Sequence, residues 1–476
     1  MKIAVIGAGL GGLASAALLA SKGHQVDVFE QNSWLGGKSR RIELNGSYVD
    51  TGPSLFTFPG VWQKFLKTYD ENLGRDASKK LANLELIGLP TLGSYYFKDQ
   101  VLTLPVDTNN ELFAQWNTFA ALNEDLLEPI TDLLTTDPSL IGKDAFRLMR
   151  STSKLVGQYG LNLTTEAYVD KFKWMDPNLK EIIKIHTLNA GVGPGETLAI
   201  FATMAAIMAD NGVSIPHGGI NEVPQALGRL IEHAGGTIHL SEGATKLSKN
   251  RLETAQDVYE FDVCVSSVDE DVLKTLRRKQ SSPRGNYSCS GVALYAAFKE
   301  PMDVIDMHSV IMPDDPDLMH QKLNDREEPS QTMTFLNYYP EGEIYPGRFD
   351  SAAILLTAPA NNKDYDLESD WVQSQLEFIE KKTDVKIPEF ADHKILDPSY
   401  FSTLGTYGGA LYGKKKPFWI AGPFHQPGYK ANNWLYRVGS QVHPGGGIPA
   451  VLGGAMIATG RIHWPFKDPD IIPFKK

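Results

Sequence analysis

Three glycines spaced Gly7-x-Gly9-x-x-Gly12 stand near the start of the chain, and the carboxylate of Glu30 follows eighteen residues after the last of them. That spacing suits a dinucleotide. The first glycine makes a tight turn, the second lets backbone approach a pyrophosphate, and the third lets a helix pack closely on a strand. A carboxylate at the end of the next strand accepts from ribose hydroxyls, and a helix N-terminus offers unpaired N–H groups and partial positive charge to phosphates. Near the other end, Val438 to Pro449 holds a second glycine run, with Gly439, Gly446 and Gly447, then Ile448 and Pro449, and His443 among them. Such a run lets backbone pass close to a flat ring, and a helix starting near Ile448 would aim its dipole at an anion.

Both runs need the same support. Apolar periodicity predicts a strand over 2–6, a helix through 19 and a strand over 25–30, which is a βαβ unit with parallel strands. Residues 434–438 and 450–460 repeat the strand, glycine turn and helix pattern. Between them, 221–234 places Val223, Leu227, Leu230 and Ile231 on one helical face, with strands expected at 237–240 and 259–265. The stretch 61–210 reads as helix-forming and Pro-punctuated, and 268–416 as mixed, with strands at 291–298 and 352–357. The return of the opening pattern at the end implies a discontinuous domain.

After Glu30 come Gly36-Gly37-Lys38 and then Asp50-Thr51-Gly52-Pro53-Ser54-Leu55-Phe56. A second glycine pair beside a cation suits another approach to the pyrophosphate. This extension resembles the glutathione-reductase-like flavoproteins of the amine-oxidase and desaturase type, and so favours FAD over NAD. The segment His443-Pro444-Gly445-Gly446-Gly447-Ile448-Pro449 is similar to the signature of the bacterial phytoene-desaturase-like carotenoid desaturases, with Val442 and Ala450 where that family has Thr and Gly. His186-Thr187-Leu188 and Pro216-x-Gly218-Gly219 carry the likeness through the chain. Gly52 to Thr57 looks more like the 1-hydroxycarotenoid 3,4-desaturase branch than like typical phytoene desaturases.

The resemblance implies an α/β fold: a discontinuous Rossmann-like FAD-binding domain of the glutathione-reductase/amine-oxidase type over 1–60, 205–270 and 420–476, with a mixed α+β substrate domain over 61–204 and 271–419 that includes a membrane-facing part. It implies Gly7, Gly9, Gly12, Glu30, Gly36, Gly37, Lys38, Gly52, Pro53, Ser54, Leu55, Ala244, Gly439, Gly446, Gly447, Ile448 and Pro449 as FAD contacts, Ala244 and Thr245 reaching adenine. The implied reaction is desaturation of a carotenoid by hydride transfer to FAD. An apolar polyene would need a long apolar tunnel, with Phe172, Trp174, Met175, Leu198, Ile200 and Phe201 as lining or core, and a mouth on the inner face of the cytoplasmic membrane. His443 leads the proton-acceptor candidates, ahead of His186, His217 and Glu196, because its motif belongs beside the flavin. The terminal electron acceptor, oxygen or a quinone, stays open. A polyene isomerase, a flavin amine oxidase and a flavin-free isoprenoid-binding protein of the Rab GDP-dissociation-inhibitor kind remain as alternatives.

Composition narrows the classes. Forty-six Lys and Arg against 57 Asp and Glu give a net charge of −11, which disfavours nucleic acid as a partner. The basic spots at Lys414 to Lys416 and at Lys475 and Lys476 are short, a solvated loop and tail or a weak attraction to anionic lipid. Two cysteines, Cys264 and Cys289, offer no zinc spacing, so no metal is expected and the compartment is expected to be reducing. Residues 3–20 carry no charge and mimic a signal peptide or short span, but four glycines interrupt the run and the dinucleotide turn explains them better.

Overall fold

A computed structural model describes residues 1–137, 144–280, 286–303, 305–415, 417 and 429–462. Lys416, Lys475, Lys476 and the stretches 420–428 and 463–476 of the expected FAD domain lie outside the described residues. The elements that frame the site begin with β1 (Lys2–Ile6), α1 (Leu10–Ser21) and β2 (Gln25–Phe29). A hairpin follows, β3 (Gly93–Phe97) and β4 (Gln100–Leu104), and later the helices α2 (Ala145–Tyr159) and α3 (Glu222–His233). Next come β5 (Thr237–His239), β6 (Val263–Ser266), β7 (Ser290–Phe298), β8 (His308–Ile311) and β9 (Thr334–Tyr339). The chain continues with β10 (Ser351–Ala358), α4 (Asp370–Thr383) and β11 (Phe390–Leu396), then β12 (Lys430–Asn432), β13 (Leu435–Arg437) and α5 (Ile448–Gly460).

One six-stranded sheet has the order β12-β13-β6-β1-β2-β5. All neighbours are parallel except the edge pair β12 and β13. The register sets Ile3 between Val263 and Val26. Both faces of the sheet are covered, so β1 buries four consecutive residues instead of alternating. Strand order reverses between β1 and β6, and in such sheets the crevice outside the carboxyl ends at that reversal is where ligands bind.

Helix α1 is buried at all twelve positions, packed between α3 and α5. This accounts for the uncharged run near the N-terminus: it is a core helix with no polar face. Full burial of Leu13, Leu18 and Leu19 stabilises by about 1.5–3 kcal/mol for each side chain. Among the described residues no helix is long and apolar enough to cross a membrane. The face of α3 read from periodicity is closed off entirely, with Val223, Leu227, Leu230 and Ile231 at 0% exposure. Cys264 is core within β6, and burial pushes its thiol pKa far up.

The second sheet has seven strands in the order β11-β7-β10-β9-β8-β3-β4, antiparallel but for β8 beside β3. Interior strand β7 buries all nine residues, and α4 packs Trp371, Val372 and Ile379 into the core on one face. Two expectations change here. The segment 61–210 is not purely helical, because β3 and β4 form a hairpin in which β3 also pairs with β8, some two hundred residues later. The expected strand 259–265 is broken at Phe261 and Asp262, since Val258–Glu260 pairs antiparallel with Arg251–Thr254 in a small separate sheet.

Candidate functional site

The turn after β1 is built by backbone crowding. Gly7 sits at φ +91°, and a Cβ on Gly12 would lie 2.0 Å from the Gly7 carbonyl oxygen, so no side chain fits at the third glycine. Gly9 caps α1 with no side-chain hydrogen bond to the helix end. The glycine pair of the second motif closes on this turn: the Gly36 N–H donates to the Ala8 carbonyl at 2.9 Å, and a Cβ on Gly37 would meet Gly9 Cα at 3.1 Å.

Glu30 is buried and braces both. Its Oε2 accepts from the Ala8 N–H at 2.7 Å, and its Oε1 accepts from the Asn32 backbone N–H at 2.9 Å and side-chain Nδ2 at 2.7 Å. Each carboxylate oxygen offers about two lone pairs, so Oε2 keeps acceptor capacity. Ala244 opens a strand beside this corner, where the Glu242 N–H donates to the Glu30 carbonyl at 2.8 Å and a Cβ on Gly243 would meet Gln31 Cβ at 2.8 Å.

The C-terminal loop comes to the same place. A Cβ on Gly11 would lie 3.0 Å from the Gly439 backbone N, so the N-terminus of α1 and the start of the last glycine run are in contact. Gly439 has φ +106°, and Gly447, at φ +86°, caps α5 with no side-chain hydrogen bond. Ile448 and Pro449 are buried in its first turn. A Cβ on Gly446 would meet the Tyr412 ring at 3.0 Å. His443 is buried, and its carbonyl oxygen would lie 3.0 Å from a Cβ on Gly454 of α5.

Sequence spacing did not single out Ser267, Asp269 and Arg437. The Gly12 N–H donates to Ser267 Oγ at 3.0 Å, just beyond the end of β6. A small cleft beyond the carboxyl ends of β6 and β13, beside the strand-order reversal, is lined by Ser267 to Glu270 and Arg437 to Val442. Burial raises the Asp269 carboxyl pKa, and Lys38 pulls it back partway. Polar residues directly after an apolar parallel strand are the signal that would have found them, because carboxyl ends face the crevice.

Lys38 donates from Nζ to the Leu411 carbonyl at 2.8 Å. Gly52, at φ +83°, sits where a Cβ would strike the Lys38 carbonyl at 2.7 Å. Pro53, Ser54 and Leu55 are half-buried beyond it, with Leu55 packed against two core clusters. Asp50 ties this segment to Pro216-x-Gly218-Gly219. Its carboxylate takes Arg41 Nε at 2.9 Å and the Asn221 N–H at 2.7 Å, and a Cβ on Gly219 would fall 2.3 Å from it.

The remaining candidates stand apart. Tyr95 and His186 share a hydrogen bond of 3.0 Å in the interior, and burial drives the His186 pKa down to about 3, which makes it a poor base at neutral pH. His217 is exposed in a turn, and Glu196 pairs with Lys415 at 2.8 Å. Phe172 and Met175 are core, Leu198, Ile200 and Phe201 are half-buried, and Trp174 is at the surface, 45% exposed, instead of lining a tunnel.

These residues suit FAD. Two long helices present uncapped N-termini toward a shared crevice, and glycines stand where side chains would fill the cradle. Two buried donors flanking the glycine pair, Trp34 Nε1 and Arg40 Nε, have no acceptor among the described residues, as expected beside an acceptor-rich ligand.

Residues 10–347 match the family described as flavin containing amine oxidoreductase. The chain belongs to this family. It is a flavin-dependent oxidoreductase, and FAD is its cofactor. A 1-hydroxycarotenoid 3,4-desaturase from Flavobacterium is 24% identical to this flavoprotein, over 97% of this chain and 99% of its own. A zeta-carotene-forming phytoene desaturase from Myxococcus xanthus is 25% identical, over 97% and 93%. An oxidoreductase from Methanosarcina mazei shares the fold with a TM-score of 0.61 at 19% identity, over 97% of this chain and 100% of that one.

Proposed function

We propose that this flavoprotein is a carotenoid desaturase. It removes two hydrogens from neighbouring carbons of an apolar polyene, and the finer reading is 3,4-desaturation of a 1-hydroxycarotenoid. The observation that carries the proposal is the seat of the His443 to Pro449 segment: the loop that resembles the desaturase signature packs on α5 directly beyond Gly439, which touches α1 at the crevice. Support also comes from relatives named desaturases that align over nearly the whole chain. The finer reading rests on Gly52 to Thr57 and on the Flavobacterium relative, whose identity is no higher than that of the phytoene desaturase.

In this reading 1–60, 205–270 and 420–476 hold the cofactor, and 61–204 with 271–419 hold the substrate. The first set supplies every strand of the six-stranded sheet, the second every strand of the seven-stranded one. Gly7, Gly9, Gly12, Gly36 and Gly37 would hold the pyrophosphate with α1, Glu30 the ribose, Ala244 the adenine edge, and Gly439 with Gly446 to Pro449 the ring end. Lys38 and the Gly52 to Leu55 segment would close the cradle. Bound FAD supplies a hydride acceptor. The protein's own work is to orient one C–C bond, exclude water and take a proton, because a cation left beside a polyene is already delocalised. His443 is the proton-acceptor candidate within the ring-end loop. The apolar substrate calls for peripheral attachment at the inner face of the cytoplasmic membrane, with oxygen or a quinone receiving the electrons.

Co-expression with enzymes that make phytoene, lycopene or 1-hydroxycarotenoids tests this. One of the three pigments is expected to gain double bonds, seen as a red-shifted absorption and a loss of two hydrogens per step. Unchanged hydrogen count with altered geometry would mean an isomerase. Peroxide formed only when amines are added would mean an amine oxidase.

A further inference from the structure

We infer that the outward face of α2, with the turn that follows it, is a docking surface for an anionic lipid bilayer. Helix α2 turns Leu148, Ser151, Leu155 and Tyr159 into the core. Its opposite side should be polar in a helix that meets only water. Instead Phe146 is 72% exposed, Met149 55% and Val156 54%, and directly after the helix Leu161 is 98% and Leu163 46% exposed. Phe146, Met149 and Val156 share one side of the helix at 3.6-residue spacing. Elsewhere large exposed apolar side chains such as Val101, Val258 and Leu318 come singly, which is ordinary for a soluble surface.

Charge selects the partner. The chain as a whole carries −11, yet residues 144–176 hold Arg147, Arg150, Lys154, Lys171 and Lys173 against Asp144, Glu166, Asp170 and Asp176. Asp170 is neutralised by Lys184 at 2.8 Å. Arg147 leans on Asp132 and Asp144 and Lys154 on Asp125, whereas Arg150 and Lys173 are exposed with no ion pair among the described residues. The C-terminal turn of α2 is anchored to its neighbours, with Gln158 Nε2 donating to the Leu122 carbonyl at 2.9 Å and Lys171 Nζ to the Gln158 carbonyl at 3.3 Å. A rigid, apolar and basic face matches an anionic interface, where side chains enter the acyl boundary and cations stay with the headgroups. A second copy across a two-fold axis would set basic patch against basic patch. The preference for lipid over another protein also rests on the carotenoid reading, since that substrate resides in membranes.

Flotation of the FAD-loaded protein tests the surface, using vesicles of pure phosphatidylcholine and of phosphatidylcholine with phosphatidylglycerol. The protein should float with the anionic vesicles and much less with the neutral ones. Substituting Phe146, Met149 and Leu161 with Ser should weaken binding by roughly tenfold per side chain, and Arg150→Gln by about fivefold. These variants should keep the flavin spectrum and should turn over carotenoid in detergent micelles like the parent. Absence of flotation, or flotation unchanged by the serine substitutions, overturns the inference. So does a concentration-dependent dimer in sedimentation that those substitutions dissolve while vesicle binding persists. Flotation without any carotenoid turnover would sink the desaturase reading and leave the surface supported.

Discussion

The six-stranded and seven-stranded sheets both bury their inner strands but differ in where their chemistry lies. In the parallel sheet the inner strands β1 and β6 are largely apolar, and the groups of the cofactor site lie in loops at the carboxyl ends: Gly7 to Gly12, Glu30, Ser267 and Gly439. In the largely antiparallel sheet the polar groups sit on or against the strands themselves, as with Tyr95 and His186, or His308 Nδ1 and Asn337 Oδ1 at 2.6 Å. A loop site is set by backbone geometry, so it tolerates almost no added atom. A strand site is set by side chains, which can shift.

Paired glycine substitutions sharpen that contrast most. In Gly12→Ala the new methyl would lie 2.0 Å from the Gly7 carbonyl oxygen, and backbone on both sides has no room to yield. Loss of about 3 kcal/mol or more is expected, with a colourless protein after purification. In Gly291→Ala, within β7, the methyl meets only the end of Leu355 at 2.7 Å, a flexible side chain. The cost there should be about 1 kcal/mol with flavin content unchanged. Thermal melts and the absorbance of bound flavin measure both, and equal losses at the two sites would break the comparison.

Glu30→Gln comes next. The side chain keeps its shape but loses the charge that accepts from Ala8 and Asn32. Losing charge-assisted hydrogen bonds of this kind costs about 1.5–3 kcal/mol, so FAD affinity should fall roughly 10- to 100-fold while the fold persists. Titration followed by flavin fluorescence reads it, and affinity within twofold of the parent would place the ribose elsewhere.

The same contrast explains what the sequence disclosed. Gly7, Gly9, Gly12 and Glu30 are local, separated by one strand and one helix, so their spacing alone implies their meeting. Helix α3 was legible because its apolar face repeats at 3.6 residues. The contact of Gly11 with Gly439 joins the two ends of the chain, and only resemblance to a family made it foreseeable. The hairpin of β3 and β4 carried a local signal, alternating apolar residues around Lys98-Asp99, but its parallel partner β8 lies far away in sequence and the surrounding helix-rich composition masked it. The surface position of Trp174 was illegible, since an aromatic residue beside Phe172 and Met175 reads as core until the neighbours are known.

In the seven-stranded region a pH effect is expected. Burial holds the His186 pKa at about 3 when folded, against 6.5 when unfolded, and lowers that of His308 as well. A base with a depressed folded pKa binds fewer protons in the native state, so stability is at its full value above pH 6.5 and declines as the pH falls toward 3. The slope should be ~1 kcal/mol per pH unit for His186. His186→Gln should flatten it in urea denaturation measured from pH 7 to 5, whereas Glu30→Gln should leave that histidine-driven slope in place. An unchanged slope in His186→Gln would mean that the imidazole reaches solvent.

The smallest effect concerns Lys38, the cation beside the glycine pair. Its ammonium donates to the Leu411 carbonyl and offsets part of the burial that raises the Asp269 pKa. A lysine so engaged acts on a phosphate mainly through distance, as a screened point charge, and a partly exposed charge of this sort is worth about 1 kcal/mol. Lys38→Gln should therefore weaken FAD binding only about fivefold, and should also reduce the fall in affinity seen on raising the salt concentration. A loss as large as that of Glu30→Gln, with no change in salt response, would mean that Lys38 works through the Leu411 backbone. The cradle would then be held by the link between the two sheets and not by the loops of one.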